Sequence, residues 1–216
     1  MFTEPSNSKL DLRFSILGVP TRVHPLFWLV VAFLGWNAGD PLGVASWVAA
    51  VFVSILVHEM GHAQCARQFG HSPRILLYGF GGLAIYQLES KEPTLQRAAV
   101  LICGPLAGFV LAAALIALQT STGLFSTDYL RLLYGQLLWI NIGWGLLNLL
   151  PVWPLDGGQL AYTLVDGLTS FQAAKVIRIL SVSTAALLSV LAFSAQQTYL
   201  ALFFAYFAWI NWQRWG

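Results

Sequence analysis

Five apolar runs govern what this chain can fold into: residues 24–36, 44–66, 98–119, 132–150 and 179–213. At about 1.5 Å per residue the last run would reach roughly 50 Å as one helix, against a hydrocarbon core of about 30 Å. It therefore divides at residues 194–198 into a hairpin of two spans. Backbone polar groups in lipid must be satisfied within their own segment, so the spans are helices. The expectation is an all-α polytopic membrane protein of about six transmembrane helices, the first short and the last two marginal in length. With 57% hydrophobic and 9% charged residues, there is too little polar surface for a soluble domain. The formal net charge of +2 gives no reason to expect a nucleic-acid partner.

The placement of the positive residues is more informative than their sum. With a cytoplasmic N-terminus, Lys9, Arg13, Arg22, Arg67, Arg74, Lys91, Arg97, Lys175, Arg178 and Arg214 face the cytoplasm, and Arg131 alone faces out. This bias predicts an even number of spans with both termini inside. A cleaved signal peptide is the competing reading of the first run, but a long polar segment precedes it and its removal would invert the charge bias. Residues 1–23 form a polar arm in which "SILGVPTRVHP" suits a short strand or an interfacial segment. Between spans two and three, β-formers flank glycines 79, 81 and 82, which predicts a small β-hairpin or sheet around a tight turn. The chain reads as one membrane-embedded domain over residues 1–216, with core spans at about 44–160 and a C-terminal helical hairpin at about 175–215.

The second run carries an ionisable cluster: His58-Glu59-Met60-Gly61-His62, an HExxH pattern. On a helix, residues four apart share a face, so two imidazoles can hold one zinc ion while the adjacent glutamate reaches its water as a general base. With four histidines and four glutamates in the chain, chance produces this pattern in about one such sequence in a thousand. The bland alternative is a polar helix contact in which these residues pair with one another. A carboxylate at membrane depth costs about 3 kcal/mol unless compensated, and a bound cation compensates it.

A catalytic zinc needs a third protein ligand and an open position. His24 and His71 are the other histidines, and Cys65 lies three residues after His62, where a small buried thiol is the simpler reading. "NLLPVWPLDGGQL" places Asp156 in a Pro-interrupted, Gly-flanked segment just after the fourth span. Broken helix at that depth is tolerated when buried or lining a wet cavity. An Asp before Gly equally suits a helix cap or turn. Asp166 is a weaker rival in an ordinary polar stretch.

The HExxH pattern together with Asn148, Pro151, Pro154, Asp156, Gly157 and Gly158 resembles the site-2 protease family of intramembrane zinc metalloproteases. "GPLAG" at residues 104–108 and "GFGG" at residues 79–82 extend the resemblance, although small-xxx-small spacing alone serves helix packing in many membrane proteins. The resemblance implies that His58, His62 and Asp156 bind one zinc ion and that Glu59 is the catalytic acid and base. It implies that Asn148 helps hold the substrate or oxyanion, and that Gly79, Phe80, Gly81 and Gly82 lie beside a sheet edge receiving the substrate as an extended strand. There is no insert long enough for a PDZ domain and no paired CBS domains, so control of access is absent or supplied by a protein in trans.

The implied activity is hydrolysis of peptide bonds within or near transmembrane segments of membrane-protein substrates, with the active site towards the cytoplasm. Two other classes compete. A silent adaptor would keep the fold without cleavage. A metal or proton transporter would need acidic residues or histidines spread over several spans, and the last two spans contain none. His24 reads as a structural interfacial residue or as part of a substrate gate. Tyr206, Trp209, Trp212 and Trp215 read as an interfacial belt.

Overall fold

The computed structural model describes residues 4–36, 40–79, 81–86, 93–168 and 172–214. Its contacts group into two compact units: Met1–Ser90 with Cys103–Gly145, and Lys91–Ile102 with Leu146–Gly216.

The first unit is built on a four-stranded sheet in the order β1-β2-β3-β4. Strands β1 (Leu12–Ile16) and β2 (Val19–Val23) form an antiparallel hairpin. Both turn residues have positive φ, 48° at Leu17 and 76° at Gly18, the conformation that matches the right-handed twist of paired strands. The strands expected in the connection after the second run are present as β3 (Arg74–Tyr78) and β4 (Gly81–Ile85), an antiparallel pair that turns at Gly79. Phe80, expected to line the substrate edge, lies outside the described residues. The parallel pairing of β2 with β3, Thr21 opposite Ile75, joins the two hairpins into one sheet.

Helix α1 (Pro25–Leu34) starts directly from β2. Here His24 is a cap: its Nδ1 accepts a hydrogen bond from the Leu26 amide at 3.2 Å, and Pro25 occupies a first-turn position with no amide to satisfy. Helix α2 (Pro41–Gln68) repeats this logic, with Asp40 accepting from the Gly43 amide at 2.6 Å. Val19, Val23, Ile75 and Leu77 of the sheet pack with Phe27 and Val31 of α1 and Ala50, Val51 and Ala63 of α2 into one buried core. Because α1 and α2 cover one face, the inward residues of β2 alternate, as half-buried strands require.

The polar arm is tied onto this sheet. Glu4 receives two hydrogen bonds from the Arg74 guanidinium, at 2.6 and 2.9 Å. Asp11 accepts from Arg22 Nε at 2.8 Å and from the Ser8 amide at 3.0 Å. Arg22 also donates to the carbonyls of Pro5 and Ser6.

Helix α3 (Thr94–Thr122) follows, then α4 (Asp128–Leu138), a π-helical turn at Trp139–Trp144 and α5 (Gly145–Asn148). At the π turn, buried Asn141 donates from Nδ2 to Ser54 Oγ of α2 and to the Leu137 carbonyl, both at 2.8 Å. A polar side chain buried among apolar helices needs such partners.

In the second unit, α6 (Asp156–Leu168) is followed by α7 (Ala173–Ser194) and α8 (Thr198–Arg214). The long last run is thus divided at 194–198, as its length demands. Val152, Ala185, Phe204 and Phe207 form the core of this unit. The segment leading to Asp156 is clamped from both hairpin helices. Ser181 of α7 accepts from the Trp153 amide at 3.0 Å, and Asn211 of α8 donates to the Trp153 carbonyl at 2.7 Å.

Helices α2, α3 and α7 are long and apolar enough to cross a membrane; α1 is a shorter apolar helix. By length and composition three candidate spans are found among the described residues, where the hydropathy pattern predicts about six. The difference lies in length and composition: α1 is apolar but has 10 residues, α8 has 17 and ends in the polar stretch 211–214, so it does not count as apolar even among the shorter helices, and the stretch from α4 to α5 is interrupted by the π turn.

Candidate active site

Helix α2 presents two neighbouring faces. His58 and His62, one turn apart, project together, and their Nε2 atoms lie 3.2 Å from each other. Their rings stand nearly perpendicular, at 82°, with centroids 4.8 Å apart. Two nitrogens each about 2.05 Å from a tetrahedral ion are about 3.3 Å apart, so the pair is spaced for one metal. His62 is buried, at 7% exposure.

Ile55 and Glu59 look towards β4. A Cβ placed on Gly82 would stand 2.5 Å from both Cγ and Oε1 of Glu59 and 2.7 Å from Cγ2 of Ile55. The Glu59 carboxylate therefore lies against strand backbone where any side chain would displace it. Glu59 is itself 7% exposed. Tyr78 of β3 senses this arrangement: burial, and after it the negative charge of Glu59, pushes the phenol above its usual range.

Asp156 opens α6. Cβ atoms on Gly157 and Gly158 would meet the Leu149 carbonyl at 2.1 Å and the Trp153 amide at 2.4 Å, so these two glycines let the first turn of α6 fold tightly onto residues 149–153. His58, His62 and Asp156 each offer one ligand atom, and the three atoms lie within 4.8 Å of one another. Two imidazoles and one carboxylate form a donor set suited to zinc.

The other expected residues fall as follows. Asn148 is the last residue of α5 and half-buried. Gly79 and Gly81 lie at the β3–β4 turn, with φ of 118° at Gly81. Cys65 is a buried free thiol, and neither it, His71 nor Asp166 belongs to the metal-ligating group found among the described residues. Sequence reasoning missed Tyr78 and the Asn141–Ser54 pair. Neither carries a motif; both depend on contacts between distant segments.

The model of Peptidase family M50 matches residues 46–127 and 125–192. The chain belongs to peptidase family M50. Its relatives in that family include the stage IV sporulation protein FB of Bacillus subtilis, 32% identical over 176 residues, covering 78% of this chain and 54% of that one. The zinc metalloprotease MJ0392 of Methanocaldococcus jannaschii is 32% identical over 150 residues, covering 68% of this chain and 43% of that one. The chain thus spans about half the length of the curated relatives it matches. Among solved structures, the site-2 protease from Methanocaldococcus jannaschii superposes with a TM-score of 0.64 at 26% identity, covering 94% of both chains. M50 membership and the apolar helices make this an integral membrane protein with a site-2 protease fold.

Proposed function

We propose that the chain is a zinc-dependent intramembrane endopeptidase that hydrolyses peptide bonds within or near the transmembrane segments of membrane-protein substrates. The observation that carries this reading is the convergence of His58, His62 and Asp156, with the neighbouring Glu59 carboxylate held by β4. His58, His62 and Asp156 would hold the ion. When bound there, zinc supplies a Lewis acid and a water whose pKa is brought towards about 7.

This chain's own residues supply the proton handling. Glu59, following the first ligand on the same helix, takes the proton of the attacking water and returns one to the leaving amine. Its burial against β4 keeps the carboxylate out of bulk water, so proton transfer is directed to the reacting atoms. Asn148 supplies an amide donor for the oxyanion.

A transmembrane helix hides its carbonyls in internal hydrogen bonds, so a substrate must unwind before attack. Strand β4 pairs only with β3 among the described strands and so stands at the end of the sheet. An extended substrate segment added there, along Gly79, Gly81 and Gly82, regains the lost bonds. We further read residues 1–216 as one catalytic membrane domain of six spans, with termini and active site on the cytoplasmic side.

The test is reconstitution of wild type and Glu59→Gln with a panel of single-span substrates, with products read by mass spectrometry. Wild type is expected to cut, and Glu59→Gln to retain zinc without cutting. Undiminished cleavage by the variant would sink the assignment of Glu59. Metal flux without cleavage by wild type would replace the reading with a transporter, and partner binding with neither would replace it with an adaptor.

A further inference from the structure

We propose that Gly104, the first glycine of the GPLAG stretch, is a positioning residue for His62: the bare Cα of α3 is the seat on which the ligating edge of the imidazole lies. The proposal rests on the reading of His62 as a zinc ligand.

A Cβ built on Gly104 would stand 2.1 Å from Nε2 of His62, 2.3 Å from Cε1 and 2.7 Å from Cδ2. Nε2 is the atom that faces His58 Nε2 at 3.2 Å. The clash therefore falls on the metal-binding nitrogen itself. Ordinary contact begins at 3.4 Å, so an added methyl group would drive that nitrogen away by about 1.3 Å, several times the ~0.2 Å that ligand distances tolerate.

The ring has no easy retreat. His62 is 7% exposed, and a Cβ on Gly61 would stand 2.3 Å from the Cys103 carbonyl oxygen. The backbones of α2 and α3 thus abut beside the ligand, and separating them would expose both. Gly108, one turn further along α3, is in a different position. Its Cβ would lie 3.2 Å from Asn141 Oδ1, a contact relieved by a few tenths of an ångström. The small-xxx-small spacing that reads as helix packing therefore holds two separate devices, a packing glycine at 108 and a ligand seat at 104.

The experiment uses the full chain in detergent, stripped of metal and titrated with Zn2+ alone. Wild type and Gly108→Ala are expected to bind alike, and Gly104→Ala to bind about 10- to 100-fold more weakly, the usual effect of disturbing a ligand's support. A second readout needs no metal: thermal unfolding of metal-free Gly104→Ala in the wild-type and His62→Ala backgrounds. The cost of alanine at 104 should be large where the imidazole is present and small where it is gone. If the single variant fails to fold and the double variant folds, the proposal stands. Equal cost in both backgrounds, failure of both to fold, or wild-type zinc affinity in Gly104→Ala overturns it. A wild-type chain that binds no zinc overturns the metal reading instead, and the unfolding cycle still decides whether Gly104 seats the ring.

Discussion

Replacing Gly82 with alanine should separate proton transfer from metal binding. Gly82 lies outside the left-handed region of backbone space, so alanine changes volume rather than conformational strain. The new methyl group would begin 2.5 Å from Glu59 Oε1 and must recover ordinary contact at 3.4 Å. Either the carboxylate or the strand then moves by about 0.9 Å. A misplacement of about 1 Å at a reacting group costs on the order of 100-fold in rate, or about 2.7 kcal/mol of transition-state stabilisation. The assay is steady-state cleavage of a single-span substrate in proteoliposomes, with zinc content measured on the same preparation. A kcat reduced about 100-fold with zinc content unchanged is the expected result, because Glu59 is not a ligand. A wild-type kcat with only KM raised would refute the reasoning, since Gly82 would then serve substrate docking alone. Loss of zinc would refute it differently, by showing that β4 supports the histidine pair rather than the base.

Asp156→Asn keeps the shape of the side chain but removes its charge, and should lower zinc affinity by at least about 10-fold without lowering the melting temperature of the metal-free protein; titration with Zn2+ and a thermal scan check both halves. The N-terminal arm should respond to acid. The Arg74 hydrogen bond, assisted by the charges of Arg74 and Arg22 and opposed by desolvation, holds the Glu4 carboxyl below its usual range. The tie is therefore fully present above the ordinary carboxylate range and is lost as pH falls through the lowered value. Amide exchange along residues 4–11 should rise below about pH 4, and at neutral pH in Arg74→Met. Because this pair is partly exposed, the global unfolding midpoint should barely move. An arm equally protected at low and neutral pH would show that the tie contributes nothing.

What the sequence made legible was what repeats or is local. HExxH is a one-turn pattern, so His58, Glu59 and His62 could be read from spacing alone. The break near residues 194–198 followed from helix length against bilayer thickness. His24 read as a structural interfacial residue or as part of a gate, and its structural role, a helix cap accepting from the Leu26 amide, shows only in the fold. Asp156 likewise served equally as a turn former or a ligand until its distance to two histidines nearly a hundred residues away was known. The β2–β3 pairing left no local signal, since a parallel ladder is formed by segments that need no common turn. The same holds for the glycines: composition shows where they are, but only the fold shows that Gly82 faces a carboxylate and Gly104 an imidazole.

Parallel pairing of Thr21 with Ile75 also sets an order of biogenesis. The histidine pair is a local feature of α2, complete as soon as that helix has wound. The wall behind Glu59 is not: β4 is held by β3, which pairs with a strand made before both α1 and α2 had emerged from the ribosome. Such distant pairing carries a loop-closure cost that is met late. The nascent chain therefore has two of the three proposed metal-binding side chains before Glu59 is aligned, and Asp156 follows only after β4 has been made, so the parts of the site are assembled in succession rather than together.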